Sequence, residues 1–123
     1  MILVDTSVWI EYLKGNEHYR NILPKYLIEK HVIAISAVFG ELLQGVKNSR
    51  EHKIIMGFWE SLLKINEEAL FLEAGKLSHE YKLYNAVVGL IDTYLLAAAL
   101  NNDLALWSLD SKLTEAIDII ENK

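Results

Sequence analysis

The opening stretch, Met1-Ile-Leu-Val-Asp-Thr-Ser-Val-Trp-Ile10, constrains the fold more than any other, because it runs from an apolar segment through a carboxylate into a helical pattern. Ile2, Leu3 and Val4 are too few for a buried helix but enough for a central parallel strand, which reads as a continuous apolar run. Asp5 then stands at that strand's carboxyl end. Thr6 or Ser7 caps the helix that follows, and Val8, Trp9, Tyr12 and Leu13 recur near the helical period, so that one face packs on the sheet. Open α/β sheets bind ligands in the crevice beyond the carboxyl ends of their strands. Asp5 is therefore placed where chemistry can happen.

The rest of the chain repeats this alternation. A polar turn at Gly15-Asn16-Glu17 leads to a helix over Glu17–Lys30, with Pro24 as a kink or break inside it. Val32–Ile35 is the second strand, and Ser36 is the N-cap of a helix through Val38, Leu42, Leu43 and Val46, which carries Glu41 in its second turn and ends near Gly45. The polar segment Lys47–Lys53 leads into a helix through Ile55, Phe58, Trp59 and Leu62, followed by a short strand near Leu63–Ile65. Helical spacing runs over Glu67–Tyr84 with Asn85 as its stop, and a further helix containing Asp92 begins after Gly89. Asn101-Asn102-Asp103 turns the chain into a strand at Leu104–Trp107, with Asp110 just beyond it. A short helix through Leu113 and Ile117 and a last strand near Ile119-Ile120 close the chain. This order predicts one domain over residues 1–123, a three-layer α/β/α sandwich around a mostly parallel sheet of four or five strands with right-handed crossovers.

Composition narrows the function. The chain has 123 residues, 52% hydrophobic and 24% charged, which suits a folded core rather than disorder. No cysteine is present, so a disulfide framework and a thiolate metal site are excluded and a cytoplasmic setting is compatible. The N-terminus has no basic region and reaches an aspartate at position 5, unlike a signal peptide. The most apolar segment, Val87–Leu100, is too short to span a bilayer and contains Asp92, so no membrane partner is expected and a buried helix is. A net charge of −5 opposes broad attraction to nucleic acid, whose affinity rests on Lys and Arg contacts to phosphates. A bound divalent metal can supply positive charge locally, so a nuclease is not excluded.

Four apolar stretches, Ile2–Ile10, Val32–Val46, Val87–Leu100 and Leu104–Ser111, each contain one acid: Asp5, Glu41, Asp92 and Asp110. With 17 acidic and 12 basic residues in the chain, four acids arise by chance about one time in ten, so position carries the argument more than identity does. Asp5 and Asp110 follow strands. Glu41 and Asp92 sit in early helical turns, which lie at the strands' carboxyl edge when helices run antiparallel to strands, so all four can converge there. Two carboxylates ~4 Å apart at an effective dielectric near 20 repel by roughly 4 kcal/mol, and a convergent set requires protons or a cation. Oxygen ligands suit Mg²⁺ or Mn²⁺ bound alongside substrate phosphates, which is chemistry for phosphodiester hydrolysis.

Asp5-Thr-Ser-Val-Trp-Ile, Glu41-Leu-Leu-Gln-Gly-Val, Gly89-Leu-Ile-Asp92-Thr-Tyr-Leu-Leu-Ala-Ala-Ala and Ser108-Leu-Asp110 together resemble the four acidic motifs of PIN-domain nucleases, especially VapC-type toxins. The resemblance spans nearly the whole chain. It implies a metal-dependent endoribonuclease, inhibited by a VapB-type antitoxin that covers the acidic groove, and commonly a homodimer. It maps Asp5, Glu41 and Asp92 onto metal-binding acids, Asp110 onto the fourth acid, and Ser7 and Ser108 onto small polar positions that orient carboxylates or water. Gln44 and Leu113 depart from the pattern, standing where a basic residue and an aromatic are frequent.

Other readings compete. Taken singly, an aspartate at a strand-to-helix junction is more often an N-cap than a ligand. Lys47, Arg50 and Lys53 are the best local phosphate-contact candidates, against the ordinary reading of a solvated helix start. The four histidines lack the close spacing of a zinc motif, and Trp9, Trp59 and Trp107 fall in apolar patterns as core residues. A receiver-like phosphoacceptor would match the length and the Mg²⁺ chemistry, but only Asp5 stands after the first strand and no aspartate directly follows Ile65. A PIN-like binding module without turnover is the remaining alternative, and the intact acids argue against it.

Overall fold

The structure of the protein, a computed structural model, describes residues 1–86 and 88–122. In chain order it contains β1 (Ile2–Val4), α1 (Thr6–Leu13), α2 (Glu17–Ile28), β2 (Val32–Ala34), α3 (Ser36–Gln44), α4 (Ser49–Ser61), β3 (Leu63–Lys64), α5 (Leu70–Tyr81), a 3-10 turn (Leu83–Ala86), α6 (Leu90–Asn101), β4 (Ala105–Trp107) and α7 (Ser111–Glu121). The strands form one sheet in the order β3-β2-β1-β4, every neighbouring pair parallel. β1 is interior, with Leu3 in register with Ile33 on one side and Leu106 on the other. Leu3, Val4, Val32, Ile33 and Ala34 are all buried, as a sheet covered on both faces requires.

Strand order explains the layers. The connections β1 to β2 and β2 to β3 step in one direction across the sheet, whereas β3 to β4 returns past β1 to the far edge. Right-handed crossovers then place α1–α4 on one face and α5 and α6 on the other. The packing agrees: α1 touches α2 and α3, α3 touches α4, and α6 packs on α5 and α7. On the first side Trp9 is buried against Phe39 and Phe58, with ring centroids 5.6 and 5.1 Å away. On the other, Thr93 through Ala99 of α6 are buried without interruption, so this helix has no polar stripe along its middle.

Several local expectations need correction. Ile119-Ile120 is not a strand: α7 runs through it, because Leu113, Ala116, Ile117 and Ile120 repeat at helical spacing and turn one face to the core. The first helix is capped by Asp5 rather than by Thr6 or Ser7, since the Asp5 carboxylate accepts from the Thr6 backbone N–H at 2.7 Å. Ser36 is the first residue of α3, not its N-cap; Ile35 takes that place, and its apolar side chain makes no capping hydrogen bond. Pro24 lies inside α2 without ending it. The span read as Glu67–Tyr84 shortens to α5, which stops where Lys82 turns left-handed at φ +52°, and Glu67 is left in the preceding loop. Val87, where the most apolar segment was read to begin, lies outside the described residues.

Candidate active site

The topology provides a crevice. Successive connections leave β1 in one direction and return to β4 on its other side, so the carboxyl ends of β1 and β4 flank a switch point of the kind that binds ligands in open α/β sheets. Asp5 follows β1, and Ser108 and Asp110 follow β4. The Asp5 backbone N–H donates to the Trp107 carbonyl at 2.9 Å, extending the ladder to the point where the chains diverge.

Asp5 is only 7% exposed and is held by hydrogen bonds at both oxygens. Its Oδ1 accepts from the Thr6 backbone, and its Oδ2 accepts from the Ser7 hydroxyl at 2.9 Å and the Ser108 hydroxyl at 2.6 Å. The two serines join the strand ends: Leu109 N–H donates to Ser7 Oγ at 3.0 Å, and Asp110 N–H donates to Ser108 Oγ at 2.9 Å. Both predicted serines therefore touch the predicted acid. Asp110 caps α7 by accepting from the Lys112 backbone N–H at 2.9 Å. Its capping role and its place beside Asp5 hold together, because one carboxylate oxygen suffices for the cap.

Glu41 and Asp92 reach the same edge from helices. Glu41 is exposed on α3 and accepts the Thr6 hydroxyl at 2.7 Å, which ties it to the first turn of α1. Asp92 is partly buried in the first turn of α6, where the positive end of the helix favours an acid. Burial raises its pKa above the ordinary 3.8, the charges of Asp110, Asp5 and Glu41 raise it further, and Lys112 opposes them. All four predicted acids are thus near enough to be felt at one carboxyl. Among the described residues, however, no three acidic or imidazole side chains are gathered closely enough to hold one ion between them. The donor set still suits a hard divalent ion, since Mg²⁺ keeps several waters and takes only one or two carboxylates directly.

The basic residues are more scattered. Lys47 lines a groove of about 460 Å³ between α1, α3 and α4, together with Glu41 and the apolar Ile10, Leu13, Leu42, Val46, Ile54 and Ile55. Arg50 and Lys53 are exposed on α4. Two residues escaped the sequence reading. Thr6 looked like a cap and proves to be the partner of Glu41. Lys112, in the first turn of α7, is the cation whose charge reaches Asp92. Its place two residues after a strand-end acid was the available signal.

A four-stranded parallel sheet with acids placed along its carboxyl edge is an α/β fold with an acidic switch point. The PIN domain family model matches residues 2–118, and the chain belongs to that family, whose members are generally nucleases and typically use divalent metal ions. Comparison with curated proteins gave no match. Membership leaves the receiver-like reading without support.

Proposed function

We propose that this chain is a metal-dependent endoribonuclease, a single PIN-like domain over residues 1–123 that serves as the toxin of a VapBC-type pair. The observation that carries the reading is the hydrogen-bonded frame at the strand ends: Ser7 and Ser108 hold Asp5, the Ser108 hydroxyl accepts from the Asp110 backbone, and Thr6 holds Glu41 beside the same turn, while the charges of Asp110, Asp5 and Glu41 all raise the pKa of Asp92. Carboxylates that repel one another at a strand-end crevice match a hard cation. Asp5, Glu41, Asp92 and Asp110 would hold Mg²⁺ or Mn²⁺, which when bound supplies positive charge for the phosphodiester and lowers the pKa of the attacking water.

The chain's own residues set the geometry. Ser7 and Ser108 fix one oxygen of Asp5, and Thr6 orients Glu41, so these carboxylates cannot swing freely. Lys47, Arg50 and Lys53 lie on the α4 side, where RNA phosphates running past Glu41 would meet them. The groove beside Glu41 is mostly apolar and has the dimensions to take side chains of an antitoxin segment, whose docking would then block the acids. A homodimer is part of this reading. No helix among the described residues is long and apolar enough to cross a membrane. The cytoplasm, which holds the RNA substrate and the antitoxin, is the proposed location.

Purified chain should cleave single-stranded RNA with Mg²⁺ or Mn²⁺ and stop on chelation. Asp5→Asn and Asp92→Asn should each lower cleavage at least ~100-fold. Mn²⁺ affinity unchanged in both variants would sink the site. Co-expression with the product of the adjacent gene should give a complex that no longer cleaves, and a pair that fails to associate would remove the toxin assignment.

A further inference from the structure

Away from the four acids, at the β2 and β3 end of the same sheet edge, a fifth carboxylate gathers three donors. Glu67 lies in the loop between β3 and α5 and reaches across to two helices. The Ser36 backbone N–H donates to Oε1 and Oε2, each at 3.0 Å, and the Ser36 hydroxyl donates to Oε1 at 2.7 Å. The hydroxyl of Tyr94, a buried residue of α6, donates to the same oxygen at 2.5 Å. Ser36 opens α3 and Tyr94 sits in the second turn of α6.

These are the two helices that carry Glu41 and Asp92. Glu41 lies five residues after Ser36 on a continuous helix, and Asp92 lies two residues before Tyr94 on another. α3 and α6 touch, and Glu67 ties them by hydrogen bonds where the N-cap residue Ile35 offers none. A helix moves as a rigid unit over such short distances, so the atom that fixes Ser36 against Tyr94 also fixes the separation of the two acids.

We propose that Glu67 is a positioning residue, a strut between α3 and α6 that holds Glu41 and Asp92 at the spacing a divalent cation needs. The inference rests on the metal-dependent reading above. Glu67 touches neither acid and acts through Ser36 and Tyr94. Removing hydrogen-bond partners of the ligands themselves typically lowers metal affinity 10–100-fold, so loss of a strut one step further out should lower it about 3–10-fold.

The test compares Glu67→Ala, Glu67→Gln and Tyr94→Phe with the unaltered chain, measuring Mn²⁺ affinity by calorimetry, melting in EDTA, and kcat and KM on RNA. Tyr94→Phe keeps the ring's packing and removes only the donated proton, so it reports on the strut even where Glu67→Ala does not fold. Expected are weaker Mn²⁺ binding and lower kcat in Tyr94→Phe and Glu67→Ala with KM for RNA little changed, and substantial rescue in Glu67→Gln, which keeps an acceptor for Ser36. If the variants melt earlier but bind Mn²⁺ within twofold of the unaltered chain, Glu67 is only a helix cap and the inference is overturned by itself. If the unaltered chain binds no Mn²⁺, the metal-dependent reading falls and this inference with it.

Discussion

Replacing Asp92 by asparagine should stabilise the protein in chelator while destroying its response to metal, a pair of opposite effects that losing an isolated surface charge would not produce. Asp92 is partly buried beside the negative charges of Asp110, Asp5 and Glu41, with Lys112 as the opposing charge. A pair of unit charges ~4 Å apart in water interacts by about 1 kcal/mol, and the energy falls with distance. Three carboxylates across a wet crevice therefore add up to about 1 kcal/mol, discounted because Asp92 is partly solvated. Loss of a carboxylate at the start of α6 costs roughly 0.3–1 kcal/mol in helix-end electrostatics, but burial also disfavours the charge that asparagine removes. The raised pKa fixes the sign as a net gain, and these terms limit it to about 0.5 kcal/mol at pH 7, or about 1–3 °C in Tm for a domain of this size.

The sign follows from linkage. The folded pKa of Asp92 lies above its ordinary value of 3.8. Below 3.8 the carboxyl is protonated in both folded and unfolded states and contributes nothing. As pH rises through the window up to the folded pKa, the folded state retains the proton that the unfolded state has lost, so stability falls. Above that window the penalty is constant. Melts from about pH 3 to 7 in EDTA should thus show the two proteins converging in acid and diverging toward neutrality. With Mn²⁺ at about 100 times its Kd the unaltered protein should gain ~2.7 kcal/mol, whereas Asp92→Asn should gain much less, and their order should reverse. An asparagine variant less stable than the parent at neutral pH in EDTA would refute the reasoning.

Other consequences are simpler. Ser108→Ala removes the 2.6 Å bond to buried Asp5 and should cost about 1.5–3 kcal/mol in chemical unfolding, together with a measurable loss of Mn²⁺ affinity. Trp9→Ala should cost ~3–5 kcal/mol, enough to leave much of the chain unfolded by circular dichroism. Trp9→Phe should be far milder, because the Trp9 indole N–H has no hydrogen-bond partner among the described residues and no polar contact is lost with it. Gly15→Ala forces a side chain into φ +89° and should lower stability by about 1 kcal/mol in the same unfolding assay without changing cleavage.

Local pattern served well where the deciding contacts are local. Ile2–Val4 reads as a buried strand because three adjacent apolar residues need cover on both sides, and α6 reads as a buried helix from its run of leucines and alanines. Ile119-Ile120 is helical and not a strand because the helical spacing that begins at Leu113 outweighs the strand propensity of two adjacent β-branched residues. Glu67 escaped notice because it lies outside the apolar stretches in which single acids stood out, and its three donors come from residues 27 and 31 positions away. The remote cap it gives α3 has no signature in Ser36 or its neighbours.

Sequence by itself determined the alternation of strands and helices, the placing of Asp5 and Asp110 after strands, and the placing of Glu41 and Asp92 early in helices. These follow from hydrophobic period and turn chemistry, which act over a few residues. Tertiary structure alone decided that β4 pairs beside β1, and through that pairing that Ser108 bonds to Asp5 across 103 residues and that the other acids bear on Asp92. Strand order depends on which apolar faces best cover one another in the whole chain. No local pattern contains that comparison.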